Sequence, residues 1–129
     1  MLAKWVENMK KIILVGGGGH CKVVISMLKD LGEYEILGIT DLKENVGKEI
    51  LGIKIKNTDE DLKKLRQEAD YALVTVGSVG DASLREKLFE KIKRIGYIIP
   101  TIIAKNTLIA KDVKIGEGTV VMPGVIINP

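Results

Sequence analysis

An aliphatic residue recurs at every sixth position from Ile103 to the end of the chain, and few folds use that period. An amphipathic helix repeats about every 3.6 residues and a strand about every 2. A six-residue period is instead typical of a left-handed parallel β-helix, in which three hexapeptides of about 18 residues complete one triangular coil. The side chains expected to point into this coil are those of Ile103, Ile109, Ile115, Val121 and Ile127.

A small residue after each aliphatic one suits the tight corner between two sides of the coil. The following residues are Ala104, Ala110, Gly116, Met122 and Asn128, of which Met122 fits loosely because it is large. The run makes only about one and a half coils, and a solenoid needs about three repeats to bury its core. We therefore expect a truncated chain, in which residues 100–129 form the start of a left-handed β-helix.

The composition is that of a globular protein with one main domain. The chain has 129 residues, 46% hydrophobic and 29% charged, which is enough to bury a core without disulfides. Its single cysteine excludes a disulfide within the chain. The 20 basic and 17 acidic residues are interspersed, with a net charge of +3, so nucleic-acid binding gains no support. No apolar run resembles a signal peptide or a membrane span, and we predict a cytoplasmic protein.

Strand and helix patterns alternate between residues 10 and 99. Aliphatic runs predict strands at 10–15, 35–40, 53–55 and 71–76. The alternation is typical of the doubly wound α/β class, so we predict a Rossmann-like parallel sheet with helices on both faces.

Helical spacing and capping residues place the connecting helices. The first follows the glycines at 16–19 and closes at Gly32. The second begins near Thr58 and Asp61 and has an apolar stripe ending at Ala69. The third begins at a capping box formed by Ser83 and Glu86. We assign residues 9–99 to the Rossmann-like domain and residues 1–8 to an N-terminal extension, with Pro100 as the boundary to the β-helix.

Four successive glycines and a histidine join the first predicted strand to the first helix. Open α/β sheets bind nucleotides at such a turn, because glycines let a ligand approach the backbone and helix N–H groups suit phosphate. The dinucleotide pattern G-x-G-x-x-G is not met, since Cys21 or Lys22 stands where the third glycine belongs. The alternative is a merely tight turn. The residues are Gly16, Gly17, Gly18, Gly19 and His20.

Other candidates stand at the carboxyl ends of predicted strands, where the same ligand would lie. Asp41 follows the second strand, at the position of an acid that binds ribose or base hydroxyls. Gly77 and Ser78 follow the strand at 71–76. The alternatives are a turn-forming aspartate and a simple strand break.

Three side chains next to the glycine turn, and Arg85 on the helix that follows residues 77–78, carry weaker predictions. His20, the only histidine, either donates a hydrogen bond to phosphate or caps the helix locally. Cys21 is interpreted as helix packing, because no second histidine exists to activate a nucleophile. Lys22 and Arg85 are interpreted as solvent-facing, with a contribution to the ligand site as the alternative.

Two elements together resemble the bacterial sugar O-acyltransferase family of the sialic-acid O-acetyltransferase type. One is the run Gly-Gly-Gly-Gly-His-Cys-Lys-Val-Val after a strand, with Asp41 after the next strand, and the other is the hexapeptide run near Pro100. Many members are nucleotide-amino-sugar N-acetyltransferases. The resemblance implies that the N-terminal domain contacts a nucleotide sugar through residues 16–20, Asp41 and residues 77–78. It also implies a homotrimer whose β-helices hold acetyl-CoA between adjacent prisms.

The resemblance further implies a reaction in which a histidine of a later coil takes a proton from the sugar amine, which attacks the thioester carbonyl of acetyl-CoA. That histidine would lie beyond residue 129, so this chain is expected to bind without catalysing, with no catalytic residue and no metal site. We predict the nucleotide-sugar-binding part of an acetyl-CoA-dependent acetyltransferase acting on a UDP-linked amino sugar in surface-glycan synthesis. The uncovered coil predicts that the fragment self-associates.

Two alternatives remain at this point. The first is a fragment of an NAD(P)-dependent oxidoreductase, which the unmet glycine pattern and the β-helix start both weaken. The second is a stand-alone nucleotide-binding or sensing domain whose short tail caps it or makes it oligomerise.

Overall fold

A computed structural model of the chain describes residues 9–76 and 82–127, and strands alternate with helices through the first part of it as predicted. Two one-turn 3-10 helices, Lys43–Asn45 and Asp59–Asp61, lie between the main elements. The elements in chain order are β1 (Lys10–Val15), α1 (Gly19–Leu31), β2 (Tyr34–Asp41), β3 (Glu49–Ile50), β4 (Ile53–Thr58), α2 (Leu62–Leu65), β5 (Tyr71–Val74), α3 (Ala82–Ile95), β6 (Ile102–Ile103), β7 (Leu108–Ile109), β8 (Val120–Val121) and β9 (Ile126–Ile127).

The main sheet has the strand order β3-β4-β2-β1-β5 and is parallel except at one edge. β1 pairs in parallel with both β2 and β5, and β2 pairs in parallel with β4. The edge strand β3 is antiparallel to β4, which corrects the prediction of a wholly parallel sheet. Only Leu51 and Gly52 separate these two strands, with φ of 48° and 82°, and so short a connection makes a hairpin rather than a crossover.

Helices cover both faces of the sheet. The chain moves from β1 to β2 in one direction across the sheet, whereas Ile98 pairs with Tyr71 on the side of β5 away from β1. Because parallel crossovers are right-handed, these opposite moves place α1 and α3 on opposite faces. Burial agrees, since all four residues from Ile12 to Val15 are at most 2% exposed. The predicted doubly wound arrangement is confirmed.

Two predicted helix boundaries are wrong. α2 ends at Leu65, so Ala69 lies outside the helix although it is buried. Amides of Gln67 and Glu68 bond to carbonyls three residues earlier, which tightens the chain into turns. Ser83 is the second residue of α3 rather than its N-cap.

The C-terminal segment forms parallel pairs at the spacing that a β-helix coil predicts. Ile102 pairs with Val120, and Leu108 with Ile126, each 18 positions later. Ile102 is 1% exposed and belongs to the core of the α/β domain, which joins the coil to that domain. Its neighbour Ile103, predicted to point inward, is 36% exposed, whereas Val121, which pairs with Ile103 and is also predicted to point inward, is 4% exposed.

Within the described residues, no helix combines the length and the apolar character needed to cross a membrane.

Candidate functional site

The glycine turn lies where the strand order reverses. β1 has β2 on one side and β5 on the other, so the connection from β1 to α1 leaves the sheet at its switch point. The Gly16 amide donates to the Thr40 carbonyl at 2.8 Å. The Thr75 hydroxyl donates to the Gly16 carbonyl at 2.6 Å. The turn is therefore fixed to both neighbouring strand ends.

The first two glycines are required by the fold itself. Gly16 has φ of +115°, and a Cβ there would lie 2.5 Å from Val76 Cγ2. A Cβ on Gly17 would lie 2.7 Å from Ile55 Cδ1 and 3.1 Å from Asp41 Oδ2. Neither position has room for a side chain. For these two residues the tight-turn interpretation is sufficient.

The next two glycines are not required by packing. No heavy atom lies within 4 Å of a Cβ placed on Gly18 or Gly19, and both residues are exposed. Gly18 has φ of −96°, which any residue adopts. What glycine provides here is access to the backbone at the start of α1, where no side chain caps the helix and no acid lies in the first turn. Such an uncapped N-terminus attracts an anion.

Asp41 ends β2 and binds the glycine turn directly. Its Oδ2 accepts a hydrogen bond from the Gly17 amide at 2.9 Å, and its Oδ1 accepts from the Leu42 amide at 2.7 Å. These two hydrogen bonds hold the turn in place, which is the turn-forming role given above as the alternative for Asp41. The carboxylate also lies next to the glycine turn, which is compatible with an acid that binds a nucleoside. The apolar ends of Ile50 and Ile55 adjoin the same point.

His20 opens onto a cleft of about 620 Å³ between α3 and the first coil. Burial lowers the pKa of this half-buried histidine, and the charge of Arg85 lowers the pKa further. The imidazole is therefore neutral at pH 7 and both donates and accepts hydrogen bonds. The other residues lining the cleft are Leu73, Val74, Ala82, Arg85, Glu86, Phe89, Glu90, Ile99, Glu117, Gly118, Thr119 and Val120.

The coil wall of this cleft is fixed to α3. Lys93 Nζ lies 2.5 Å from Glu117 Oε1. A Cβ placed on Gly118, whose φ is +75°, would lie 3.1 Å from Phe89 Cε2. The Gly118 amide donates to the Pro100 carbonyl at 3.1 Å. A ligand in the cleft thus touches both the α/β domain and the coil.

Cys21 is a core residue and not a nucleophile. Its side chain is fully buried, and burial raises the pKa of the thiol to about 11. The thiol is protonated at neutral pH, which agrees with the packing role predicted for it.

The structure brings together most of the predicted site and adds residues to it. The glycine turn, His20 and Asp41 lie at the carboxyl ends of the central strands β1 and β2. Gly77 and Ser78 lie outside the described residues. Sequence reasoning missed Thr40 and Thr75, which are buried at the carboxyl ends of apolar strands. A hydroxyl at the end of an aliphatic run is the signal that could have identified them.

Comparison with known proteins identifies the family of the chain. The family model of the PglD N-terminal domain matches residues 11–92. UDP-N-acetylbacillosamine N-acetyltransferase of Bacillus subtilis (strain 168) is 30% identical over 117 residues, which are 88% of this chain and 52% of that protein. The chain therefore spans about half the length of this curated relative.

Two solved structures share the fold of this chain, with sequence identities of 34% and 26%. A mutant of perosamine N-acetyltransferase from Caulobacter crescentus, in complex with CoA and GDP-perosamine, is 34% identical with a TM-score of 0.81, covering 92% of this chain and 54% of that one. The acetyltransferase domain of PglB from Neisseria gonorrhoeae FA1090 is 26% identical with a TM-score of 0.76, covering 92% and 62%. The same domain is also known in complex with acetyl coenzyme A. With its residues 11–92 matched and its fold shared, the chain belongs to the PglD N-terminal domain family.

Proposed function

We propose that the chain is the nucleotide-sugar-binding part of an acetyl-CoA-dependent acetyltransferase acting on a UDP-linked amino sugar in surface-glycan synthesis. The observation that carries the proposal is the uncapped start of α1, where Gly18 and Gly19 leave the backbone open at the switch point. Similarity to N-acetyltransferases, one of them in complex with CoA and GDP-perosamine, supports it.

Each part of the ligand has a place in this proposal. The diphosphate lies against the amides of Gly18 and Gly19 and accepts a hydrogen bond from His20. The nucleoside lies toward Asp41, whose carboxylate selects among nucleotides, with Ile50 as an apolar wall. Gly77 and Ser78 are proposed to line the same crevice.

The remaining chemistry belongs to the whole protein. Acetyl-CoA is the proposed co-substrate, and the sugar amine attacks its thioester carbonyl with help from a general base. His20, the only histidine in the sequence, lies in the glycine turn, and the general base is proposed to belong to the part of the curated relative that this chain does not span. We also propose a cytoplasmic homotrimer. Leu108 and Ile126 of the coil are 67% and 63% exposed, and such apolar side chains suit contacts between copies, including self-association of this chain.

Isothermal titration calorimetry tests the proposal with UDP, a UDP-linked amino sugar, GDP and NAD as separate ligands. We expect binding of UDP and the UDP-sugar, weaker binding of GDP, and none of NAD. NAD binding with no response to any nucleotide or nucleotide sugar would overturn the proposal in favour of an oxidoreductase fragment.

A variant that blocks the open backbone sharpens the test. Gly18→Val is expected to abolish UDP binding while the circular dichroism spectrum stays native, because the added side chain occupies ligand space and not core space. Ser26→Val is the matched control, since Ser26 is exposed on the same helix, and it should bind UDP like the unmodified chain. Equal affinity in both variants would show that the ligand lies elsewhere.

A further inference from the structure

We propose that Arg85 of α3 is a second binding residue for the diphosphate, reaching it across the cleft from the glycine turn. This inference rests on the proposed function and deepens it. It assigns to the site a side chain that sequence reasoning interprets as solvent-facing.

The position of the cleft supports this role. Leu73 and Val74, at the carboxyl end of β5, line it, as does His20 in the first turn of α1 and Arg85 in the first turn of α3. The cleft therefore begins near the switch point, at His20, which directly follows the exposed residues Gly18 and Gly19 in the chain. A diphosphate that is bound at the start of α1 and extends into the cleft would meet both His20 and Arg85, which line it.

Among the described residues, no carboxylate forms an ion pair with Arg85. In the parts of the chain that the structure describes, the ion pairs are Arg66 with Asp70 and Lys93 with Glu117, and neither includes Arg85. Its side chain is half-buried, and its charge disfavours the protonated form of His20. The guanidinium charge, next to an uncapped helix start and a neutral imidazole that can donate a hydrogen bond, is complemented by an anion.

The carboxylates of the cleft do not supply that anion. Glu117 is paired with Lys93. Glu86 and Glu90 lie one turn apart on α3 and are both exposed, so water and salt screen their charges. A guanidinium binds two phosphate oxygens at once, which an ammonium does not, so arginine suits a diphosphate better than lysine does.

Calorimetry on the unmodified chain, Arg85→Gln and Arg94→Gln tests this, with UDP and CoA as probes and uridine followed by ligand-observed NMR. Arg94 is exposed in the last turn of the same helix and is absent from the cleft lining. We expect Arg85→Gln to weaken UDP binding about 10- to 100-fold, the range of a charge-assisted hydrogen bond. Uridine binding should be unchanged, and Arg94→Gln should bind UDP normally.

Each other outcome counts against the inference. Unchanged UDP affinity in Arg85→Gln would overturn it while leaving the proposed function intact. Equal losses of affinity for UDP and uridine would indicate that the substitution affects nucleoside binding or folding. A loss of affinity for CoA alone would indicate that Arg85 contacts the acyl donor instead. If the unmodified chain binds neither UDP nor a nucleotide sugar, both proposals fail. Should Arg85→Gln not fold, Arg85→Lys replaces it, with an expected loss smaller than tenfold but measurable for UDP only.

Discussion

Alanine substitutions along the glycine turn should separate glycines that the fold requires from glycines that a ligand requires. Gly16→Ala is expected to be the most destabilising, Gly17→Ala intermediate, and Gly18→Ala close to neutral. The order follows from the space around each Cβ. The nearest atom lies at 2.5 Å for Gly16 and 2.7 Å for Gly17, and none lies within 4 Å for Gly18.

The magnitudes follow from strain and overpacking. At Gly16, alanine must adopt φ of +115°, which costs about 1–3 kcal/mol, and displacing Val76 adds about 1–3 kcal/mol. At Gly17 the overpacking against Ile55 costs about 1–3 kcal/mol. Pushing Asp41 away adds about 1 kcal/mol for the weakened hydrogen bond. At Gly18, a cap loss of about 0.5–1 kcal/mol is offset by about 0.4–1 kcal/mol from the restricted unfolded chain.

Urea unfolding followed by circular dichroism measures these differences as shifts in midpoint at constant m-value. Calorimetry with UDP on the same samples provides the complementary measurement. We expect Gly18→Ala to be stable and to bind UDP more weakly. The reasoning is refuted if Gly18→Ala is destabilised as much as Gly16→Ala, or if Gly16→Ala unfolds like the unmodified chain.

Three further predictions concern single side chains. Asp41→Ala should lower the free energy of unfolding by about 1–3 kcal/mol, because two amides lose a charged acceptor. It should also change the order of affinities among UDP, GDP and CMP. If calorimetry shows the same order, the role of Asp41 is structural only. His20→Ala should weaken UDP and a UDP-sugar equally, by about 1–3 kcal/mol, and a loss confined to the UDP-sugar would contradict the phosphate contact. The Cys21 thiol ionises near pH 9.0 when unfolded and at about 11 when folded. Stability should therefore fall as pH rises across that interval, and urea midpoints that fall equally in Cys21→Ala would contradict this.

Local patterns in the sequence predicted the features that depend on neighbours in the chain. The aliphatic run before Gly16 predicts β1, and a positive φ at Gly32 ends α1 as predicted. The six-residue period predicts parallel pairing 18 positions apart, which is observed between Ile102 and Val120. These features follow from periodicity and capping, which are written in contiguous residues.

Features that depend on distant residues were not predictable in the same way. Nothing in four successive glycines reveals that Val76 leaves no room at Gly16 while Gly18 faces open space. His20 and Arg85 line one cleft although 65 positions separate them in the chain. The antiparallel edge is local but was also missed, because its hairpin turn uses Leu51 at a positive φ that leucine rarely adopts.

Backbone amide chemical shifts, followed by NMR during titration with UDP, test the central claim most directly. If the open start of α1 holds the diphosphate, the largest changes will fall on the amides of Gly18, Gly19 and His20, with smaller changes at Asp41. Saturating UDP that leaves these amides unmoved, or that shifts only residues of the coil, would contradict the assignment of the glycine turn as the nucleotide site.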